Sequence, residues 1–276
     1  MTKQNMLSQG EGTPAASGSL NRRSFAMTFP QLIDQAMALG MEEHSLVLLR
    51  RGHDLAERMV DGMYRPQGMP FITHLVRTAS IVMAQGQPIE VVIAGLLHGV
   101  YLLHRFEGSR RRKARPANRA YLQREVGQDA EALVWGYAHL DWHGRKVIEE
   151  HLEKLASYGA DRRSVLVIEL ANELEDHLDL AVLYRRHFPY RRRIEEYGNV
   201  CVNMAVRLGL PELGQALRDA YDATLAHNVP QGVIREYTNA YELPRCHFWE
   251  KRLIERLASK ARRAVGETLR MVGIKG

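Results

Sequence analysis

The chain has 276 residues, of which 45% are hydrophobic and 25% are charged, as is ordinary for a globular protein that buries a core. Its two cysteines are too few for a disulfide framework, and no run of 18 apolar residues marks a transmembrane helix. We therefore expect a cytoplasmic protein without membrane contact. The net charge of +6 is compatible with an anionic partner and does not identify one.

Apolar residues recur at helical spacing along most of the chain, and no convincing period-two strand interrupts them. Prolines and glycines bound the helical segments, as is typical of helix starts and ends. The segments span about residues 29–40, 43–61, 72–85, 88–103, 117–126, 129–140, 145–158, 162–180, 190–208, 211–226 and 244–272. The pattern predicts an all-α protein.

Two of these segments each place one histidine among aliphatic neighbours. His74 belongs to the first and His98 to the second, and the stretch from Gln85 to Pro88 predicts a tight turn between them. Facing helices are a common way to bring two histidines onto one ion. We therefore expect the two imidazoles to lie close enough to share a water or a metal. The alternative is that both are hydrogen-bonded polar residues of a helical core.

A basic stretch follows the second histidine segment. Residues 105–115 read RFEGSRRRKAR, with six basic residues against one acid, and Arg110, Arg111 and Arg112 form their centre. Such a run is usually a solvated loop, and it also offers donors to the phosphate groups of a small molecule. Both interpretations remain open from the sequence.

Three short motifs resemble the HD superfamily and, within it, the hydrolase domain of the RelA/SpoT alarmone enzymes. In this chain they read GMPFITH up to His74, AGLLH up to His98, and ELANEL around Asn172. The alarmone enzymes show GxPYIxHP, ALLHDxxED and KLADRLHN in the same order, and the third match is loose. The resemblance covers about residues 45–185. The phrase AGLLHGVY is also similar to LAGLFHSVYG of an uncharacterised HD-like group.

The resemblance implies an HD-like helical bundle with additional C-terminal helices and a divalent metal bound by two histidines and two aspartates. His74 and His98 keep the histidine positions. Gly99 stands at the position of one aspartate, and Asn172 stands at that of the other. Arg65 corresponds to a substrate-contacting arginine of the alarmone enzymes.

The departures from the family pattern remove charged oxygen ligands. Leu102 and Leu103 replace a Glu-Asp pair of the alarmone hydrolases. Hard divalent ions need anionic oxygens, which two imidazoles and an amide do not supply. Glu169, Glu173 and Asp176 lie within about one turn of Asn172 on the same predicted helix and are the candidates to replace them.

These observations lead to a division of the chain and a leading hypothesis. We expect a disordered tail over residues 1–25, an HD-like domain over 26–185, and a C-terminal helical extension over 186–276 packed on it. The leading hypothesis is a catalytically degenerate HD-like protein, without catalytic residues or a cofactor, that binds a phosphate-bearing small molecule or regulates a partner. Its ligand-binding candidates are Arg65, His74, His98, Asn172, Arg110, Arg111 and Arg112.

Two other functions remain as alternatives. The first is a metal-dependent phosphohydrolase that holds Mn or Fe through His74, His98 and substituted ligands, and acts on a nucleotide or another phosphoester. The second is a nucleic-acid-associated helical protein that uses the basic stretch and the basic face of residues 244–272. No recognition motif accompanies that charge, so we do not expect nucleic acid as a partner.

Overall fold

A computed structural model of the chain describes residues 25–65, 67–103, 116–184 and 189–234. These residues are mostly helical and contain no β-strand, only one bridge between Tyr64 and Pro70. The predicted all-α class is therefore confirmed. Residues 1–24 of the predicted tail, the basic stretch with Arg110, Arg111 and Arg112, and the helix predicted over 244–272 lie outside the described residues. Phe25, the last residue of that predicted tail, is buried in the hydrophobic core.

The helices mostly begin and end within two residues of the predicted bounds. They are α1 (Phe29–Ala38), α2 (Glu43–Val60), α3 (Phe71–Ala84), α4 (Ile89–Leu97), α5 (Val100–Leu103), α6 (Pro116–Val126), α7 (Gln128–Ala138), α8 (Arg145–Lys154), α9 (Ala160–Leu178), α10 (Tyr190–Arg193), α11 (Asn199–Arg207) and α12 (Pro211–Ala226). Local chemistry explains such bounds. At the start of α1, for example, the Gln31 side chain accepts the Thr28 backbone N–H at 3.1 Å.

Two helices that the sequence predicts as continuous are interrupted. The predicted helix over 88–103 divides at His98 and Gly99 into α4 and α5. There the His98 ring bonds to the Gly95 carbonyl at 2.7 Å, and a continuous α-helix would use that carbonyl for the Gly99 N–H. The predicted helix over 190–208 contains a π-helical turn, Ile194–Gly198, between α10 and α11. Such turns are frequent at functional sites.

Helices α3, α4 and α9 form the centre of the described fold. Helix α3 packs against both α4 and α9, and α7 covers the other side of the same pair. Gly95 allows α4 to approach α3, because a Cβ there would lie 3.2 Å from Cγ2 of Val82. Helices α11 and α12 pack on each other and on α9, within one continuous cluster of buried apolar side chains. The division of the chain near residue 185 stays a prediction.

The length and apolarity of the same helices bear on membrane insertion. None of the described helices is both long and apolar enough to span a bilayer. The expectation of no membrane-spanning segment therefore holds for the part of the chain that the structure describes.

Candidate functional site

A cavity of about 390 Å³ lies among α3, α4, α5, α7 and α9. This volume is within the range of small-molecule sites. Its lining includes four residues that the sequence analysis selected, namely Arg65, His74, His98 and Asn172. The fold therefore brings together every ligand-binding candidate that lies within the described residues.

The two histidines face each other at one wall of the cavity. His74 lies in the first turn of α3 and His98 directly follows α4, and only 3% and 4% of their surfaces are exposed. Their Nε2 atoms are 3.3 Å apart. A hydrogen bond fits this separation, and so does a shared ion, because two nitrogens about 2.1 Å from one metal lie roughly 3.0–3.4 Å apart. The partners of the other ring nitrogens distinguish these possibilities.

The Gly95 carbonyl fixes the protonation of His98. Nδ1 of His98 lies 2.7 Å from that oxygen, which can only accept, so Nδ1 bears the proton. Burial, together with the neighbouring His74, lowers the pKa of His98 to about 3, which makes the ring neutral near pH 7. Its Nε2 is therefore an acceptor, and Nε2 of His74 must bear a proton to complete the contact between the rings.

Arg65 holds the other side of the pair. Its guanidinium contacts Nδ1 of His74, lies 3.1 Å from Oε2 of Glu175, and bonds to Oδ1 of Asp176. Oε2 of Glu175 also contacts Nδ1 of His74. That nitrogen therefore lies against both a donor and an acceptor and is satisfied with or without a proton.

Glu175 is a central site residue that the sequence analysis missed. Its side chain is 1% exposed and faces α3, where Arg77 approaches Oε1 at 3.7 Å. Burial raises the pKa of Glu175, but the nearby His74 and Arg65 lower that pKa by more, so the carboxylate stays ionised. The sequence offered a signal, since Arg65 and Arg77 are two cations that need buried partners.

The acidic face of α9 lines the opposite wall of the cavity. Glu169, Glu173 and Asp176 follow one another at helical spacing around Asn172. The Tyr137 hydroxyl donates to Oε2 of Glu169 at 2.6 Å. Burial and the adjacent Glu173 raise the pKa of Glu169 to about 8, so this acid is mainly protonated at neutral pH.

A second guanidinium reaches the cavity from the C-terminal helices. Arg193 ends α10, lines the cavity and donates to Oε1 of Glu173 at 3.0 Å. Its neighbours Arg191 and Arg192 are exposed. The sequence analysis missed Arg193, because a run of three arginines does not reveal which one turns inward.

The residues present do not fit the divalent metal that the HD resemblance implies. Gly99 offers no side chain, and Asn172 offers only a neutral oxygen. Among the described residues, one group has ligand spacing, namely His74, Glu175 and Asp176, whose ligand atoms lie within 4.8 Å of one another. Both carboxylates of this group are already paired with a guanidinium, whose charge repels a divalent cation.

The replacement ligands proposed from the sequence have other partners as well. Glu169 is bonded to Tyr137, Glu173 is paired with Arg193, and Asp176 is paired with Arg65. Whether any of them binds a metal stays a prediction. Leu102 and Leu103 line the cavity as apolar residues, so these two positions provide no charged ligand.

Comparisons with known proteins agree with a distant relationship. Residues 55–142 match a family described as a domain of unknown function, DUF6817. Two proteins named GTP pyrophosphokinase, from Streptomyces coelicolor and Streptomyces antibioticus, are each 26% identical over 197 residues. The matches cover 71% of this chain and 22% of each relative, so the chain spans less than a quarter of their length. These similarities support the distant relationship to RelA/SpoT enzymes that the motifs indicate.

Proposed function

We propose that the chain is an HD-like protein that binds a nucleotide-related, phosphate-bearing small molecule in its cavity without hydrolysing it. One observation carries the proposal. His74 and His98 are hydrogen-bonded to each other, and the carboxylates beside them are paired with Arg65, while the cavity in front of them stays open. In this proposal the pocket of the HD-like fold persists while its metal chemistry is lost.

Hydrolysis of a phosphoester in this cavity would need an activated nucleophile. In metal-dependent phosphohydrolases the ion lowers the pKa of a bound water and produces hydroxide near neutral pH. Here Gly99 and Asn172 supply no anionic ligand, and Leu102 and Leu103 supply no acid beside the histidines. Without the ion, the main electrostatic stabilisation of the reaction is lost.

The walls of the cavity favour the binding of a small molecule. Phe71, Tyr137 and Trp142 provide aromatic surface for a flat ring, as small-molecule sites commonly do. Arg65 and Arg193 provide guanidinium groups, which recognise phosphate through paired hydrogen bonds.

The charge of the lining is balanced near neutral pH. Arg65 and Arg193 offset Glu173 and Asp176, and the protonated Glu169 adds no charge. A phosphate group entering the cavity would therefore exchange with the carboxylate partner of a guanidinium instead of meeting a net negative wall. Together with the relatives named GTP pyrophosphokinase, this balance favours a nucleotide-related ligand.

Calorimetric titration with a panel of guanine and adenine nucleotides tests ligand binding. We expect saturable binding of at least one nucleotide, and Arg193→Gln should weaken it about tenfold by removing a charge-assisted contact. Arg192→Gln is the matched control, because Arg192 is exposed, pairs with Glu196 and does not line the cavity. The proposal fails if no nucleotide binds, or if the two variants weaken binding equally.

A turnover assay with Mn²⁺ and a panel of nucleotides and phosphoesters tests the absence of hydrolysis. We expect no metal-dependent product above that of a His74→Ala control. Turnover that is present in the natural chain and lost in the control would instead establish a rebuilt active site.

A metal-dependent phosphohydrolase with substituted ligands is the second candidate, favoured by the ligand spacing of His74, Glu175 and Asp176. Under our proposal, the natural chain binds metal weakly, and added anionic ligands beside the histidines should improve binding. Gly99→Asp is sterically feasible, because a Cβ there would make only ordinary contacts of 3.7 Å with Leu103 and Phe71. Combined with Asn172→Asp, it should raise Mn²⁺ affinity by about tenfold or more.

A further inference from the structure

We propose that Arg65 is a built-in cation that takes the place of a divalent metal among His74, Glu175 and Asp176. This inference extends the proposed function, because it explains how an HD-like pocket stays intact without an ion. It concerns the cation held by His74, Glu175 and Asp176 at the edge of the cavity, and its experiment measures metal instead of nucleotide. Failure of one proposal is therefore distinguishable from failure of the other.

Arg65 binds the same group of atoms that a metal would bind. His74, Glu175 and Asp176 are the described group with metal-ligand spacing, and the Arg65 guanidinium contacts all three. Arg65 is 7% exposed, so water does not substitute for these partners. Arg65 thus bridges the buried carboxylate of Glu175 and the partly buried carboxylate of Asp176, and Arg77 adds a second positive charge 3.7 Å from Oε1 of Glu175.

The backbone around Arg65 holds this residue in a fixed position. The Arg65 N–H donates to the Met69 carbonyl, and the Gly68 N–H donates to the Arg65 carbonyl, both at 2.8 Å. The Phe71 N–H closes the same loop by donating to the Met63 carbonyl at 2.9 Å. The guanidinium therefore enters the site from a short, hydrogen-bonded loop at the start of α3.

A guanidinium and a divalent ion exclude each other beside Glu175 and Asp176. Arginine stays charged at every pH at which the protein is folded, and its planar fork of donors matches carboxylates. A divalent ion bound by the same carboxylates would lie within a few ångströms of that charge, where like charges repel strongly. A metal can therefore bind to Glu175 and Asp176 only if Arg65 leaves them.

The two histidines need no ion when Arg65 is present. Nδ1 of His98 donates to Gly95, and its Nε2 accepts the proton of Nε2 of His74. The remaining nitrogen, Nδ1 of His74, lies against Arg65 and Glu175. All four ring nitrogens therefore have partners within the protein.

Equilibrium dialysis with Mn²⁺ and Zn²⁺, on the full chain, tests the inference. Arg65→Ala should gain at least about tenfold in affinity over the natural chain, because it releases three potential ligands. Arg65→Lys is the matched control, since it keeps the positive charge and should gain little. Adding Glu175→Gln to Arg65→Ala should abolish the gain. Equal affinities for the alanine and lysine variants would overturn the inference.

Thermal unfolding adds a second readout on the same variants. Arg65→Ala should unfold at a lower temperature than the natural chain, and saturating Zn²⁺ should raise its Tm, because a ligand that binds only the folded state stabilises it. The natural chain should show no such rise. A Zn²⁺-dependent rise in the natural chain that is lost in His74→Ala would contradict the inference.

Measurements on the natural chain alone keep the test decisive if Arg65→Ala does not fold. Nitrogen-15 NMR should show a proton on Nε2 of His74 and on Nδ1 of His98, with shifts unchanged by one equivalent of Zn²⁺. Stoichiometric metal binding that displaces the proton from Nε2 of His74 would overturn the inference.

Discussion

Two buried glutamates in neighbouring helices have opposite surroundings. Glu131 of α7 has no exposed surface and accepts hydrogen bonds from three side chains. Arg119 binds both of its oxygens, at 2.7 and 2.8 Å, while the Tyr101 hydroxyl lies at 2.7 Å and the Gln123 amide at 2.9 Å. Every acceptor site of this carboxylate faces a donor.

Glu169 of α9 is nearly as buried, but its neighbours leave it unbalanced. The Tyr137 hydroxyl donates to one of its oxygens, and the adjacent Glu173 is another acid. Its side chain also lines the cavity. Within the part of the chain that the structure describes, no guanidinium is bonded to Glu169, and the nearby Arg193 is bonded to Glu173.

The two pKa shifts follow from these surroundings. Burial raises the pKa of Glu131, but hydrogen bonds from Arg119, Tyr101 and Gln123 lower it by more, so its pKa lies below the ordinary value. For Glu169, burial and the repulsion of Glu173 act in the same direction and raise the pKa to about 8. A saturated carboxylate holds helices together, whereas an unbalanced acid beside a cavity can bind or exchange protons.

The largest expected effect is the loss of the saturated carboxylate. Glu131→Ala should lower the free energy of unfolding by about 3 kcal/mol, because the buried Tyr101 hydroxyl loses its acceptor and Arg119 loses its partner. The Arg119 side chain is 36% exposed, and solvent recovers part of its loss. Urea denaturation at neutral pH measures the change.

The pH dependence gives this prediction its control. Because the folded-state pKa of Glu131 is lowered, its stabilisation is present above the ordinary carboxyl range and disappears as pH falls through the folded pKa. The deficit of Glu131→Ala should therefore shrink in acid. A deficit below about 1 kcal/mol at neutral pH would show that the cluster does not anchor these helices.

The same contrast separates what the sequence could predict from what it could not. Helix spacing and the turn after Gln85 placed His74 and His98 on adjacent helices, because both signals are local. The distance between the imidazoles was also expected, from the motifs around them. The partners of Glu131 lie 8, 12 and 30 residues away along the chain, on α6 and α5, and no local pattern links them to it.

Glu175 was missed because its partners come from outside its own helix. Glu169, Glu173 and Asp176 share one helical face, so choosing one of them directed attention to that face. Glu175 lies on a different face and points to Arg65 and Arg77, which become its partners only when α3 packs against α9. Tertiary packing, not helix spacing, creates this cluster.

A smaller effect of opposite sign is expected at the unbalanced acid. The unfolded chain loses the Glu169 proton near pH 4.5, whereas the folded chain keeps it until about pH 8, so this group destabilises the fold as pH rises between these values. Glu169→Gln resembles the protonated acid and does not titrate. Between about pH 5.5 and 7, the free energy of unfolding of this variant should therefore rise by about 2 kcal/mol relative to that of the natural chain.

Urea denaturation at several pH values tests this difference. Asp129→Asn is a suitable control, because Asp129 is an exposed acid in α7 and should leave the pH profile unchanged. A gain that is independent of pH would indicate a packing effect and would refute the raised pKa of Glu169.

The smallest effects compare the two tyrosines that donate to these glutamates. Tyr101→Phe removes one of several donors from Glu131, and Tyr137→Phe removes the donor seen on Glu169. Each variant should cost about 1 kcal/mol, the usual contribution of one buried hydrogen bond. The distinguishing result is a titration, followed by carbon-13 NMR of the glutamate carboxyls. Because the Tyr137 hydrogen bond lowers the pKa of Glu169, Tyr137→Phe should move that titration to higher pH, while Tyr101→Phe should leave it unchanged. If both variants move it equally, the two carboxylates are coupled and the contrast between a structural and an available acid is wrong.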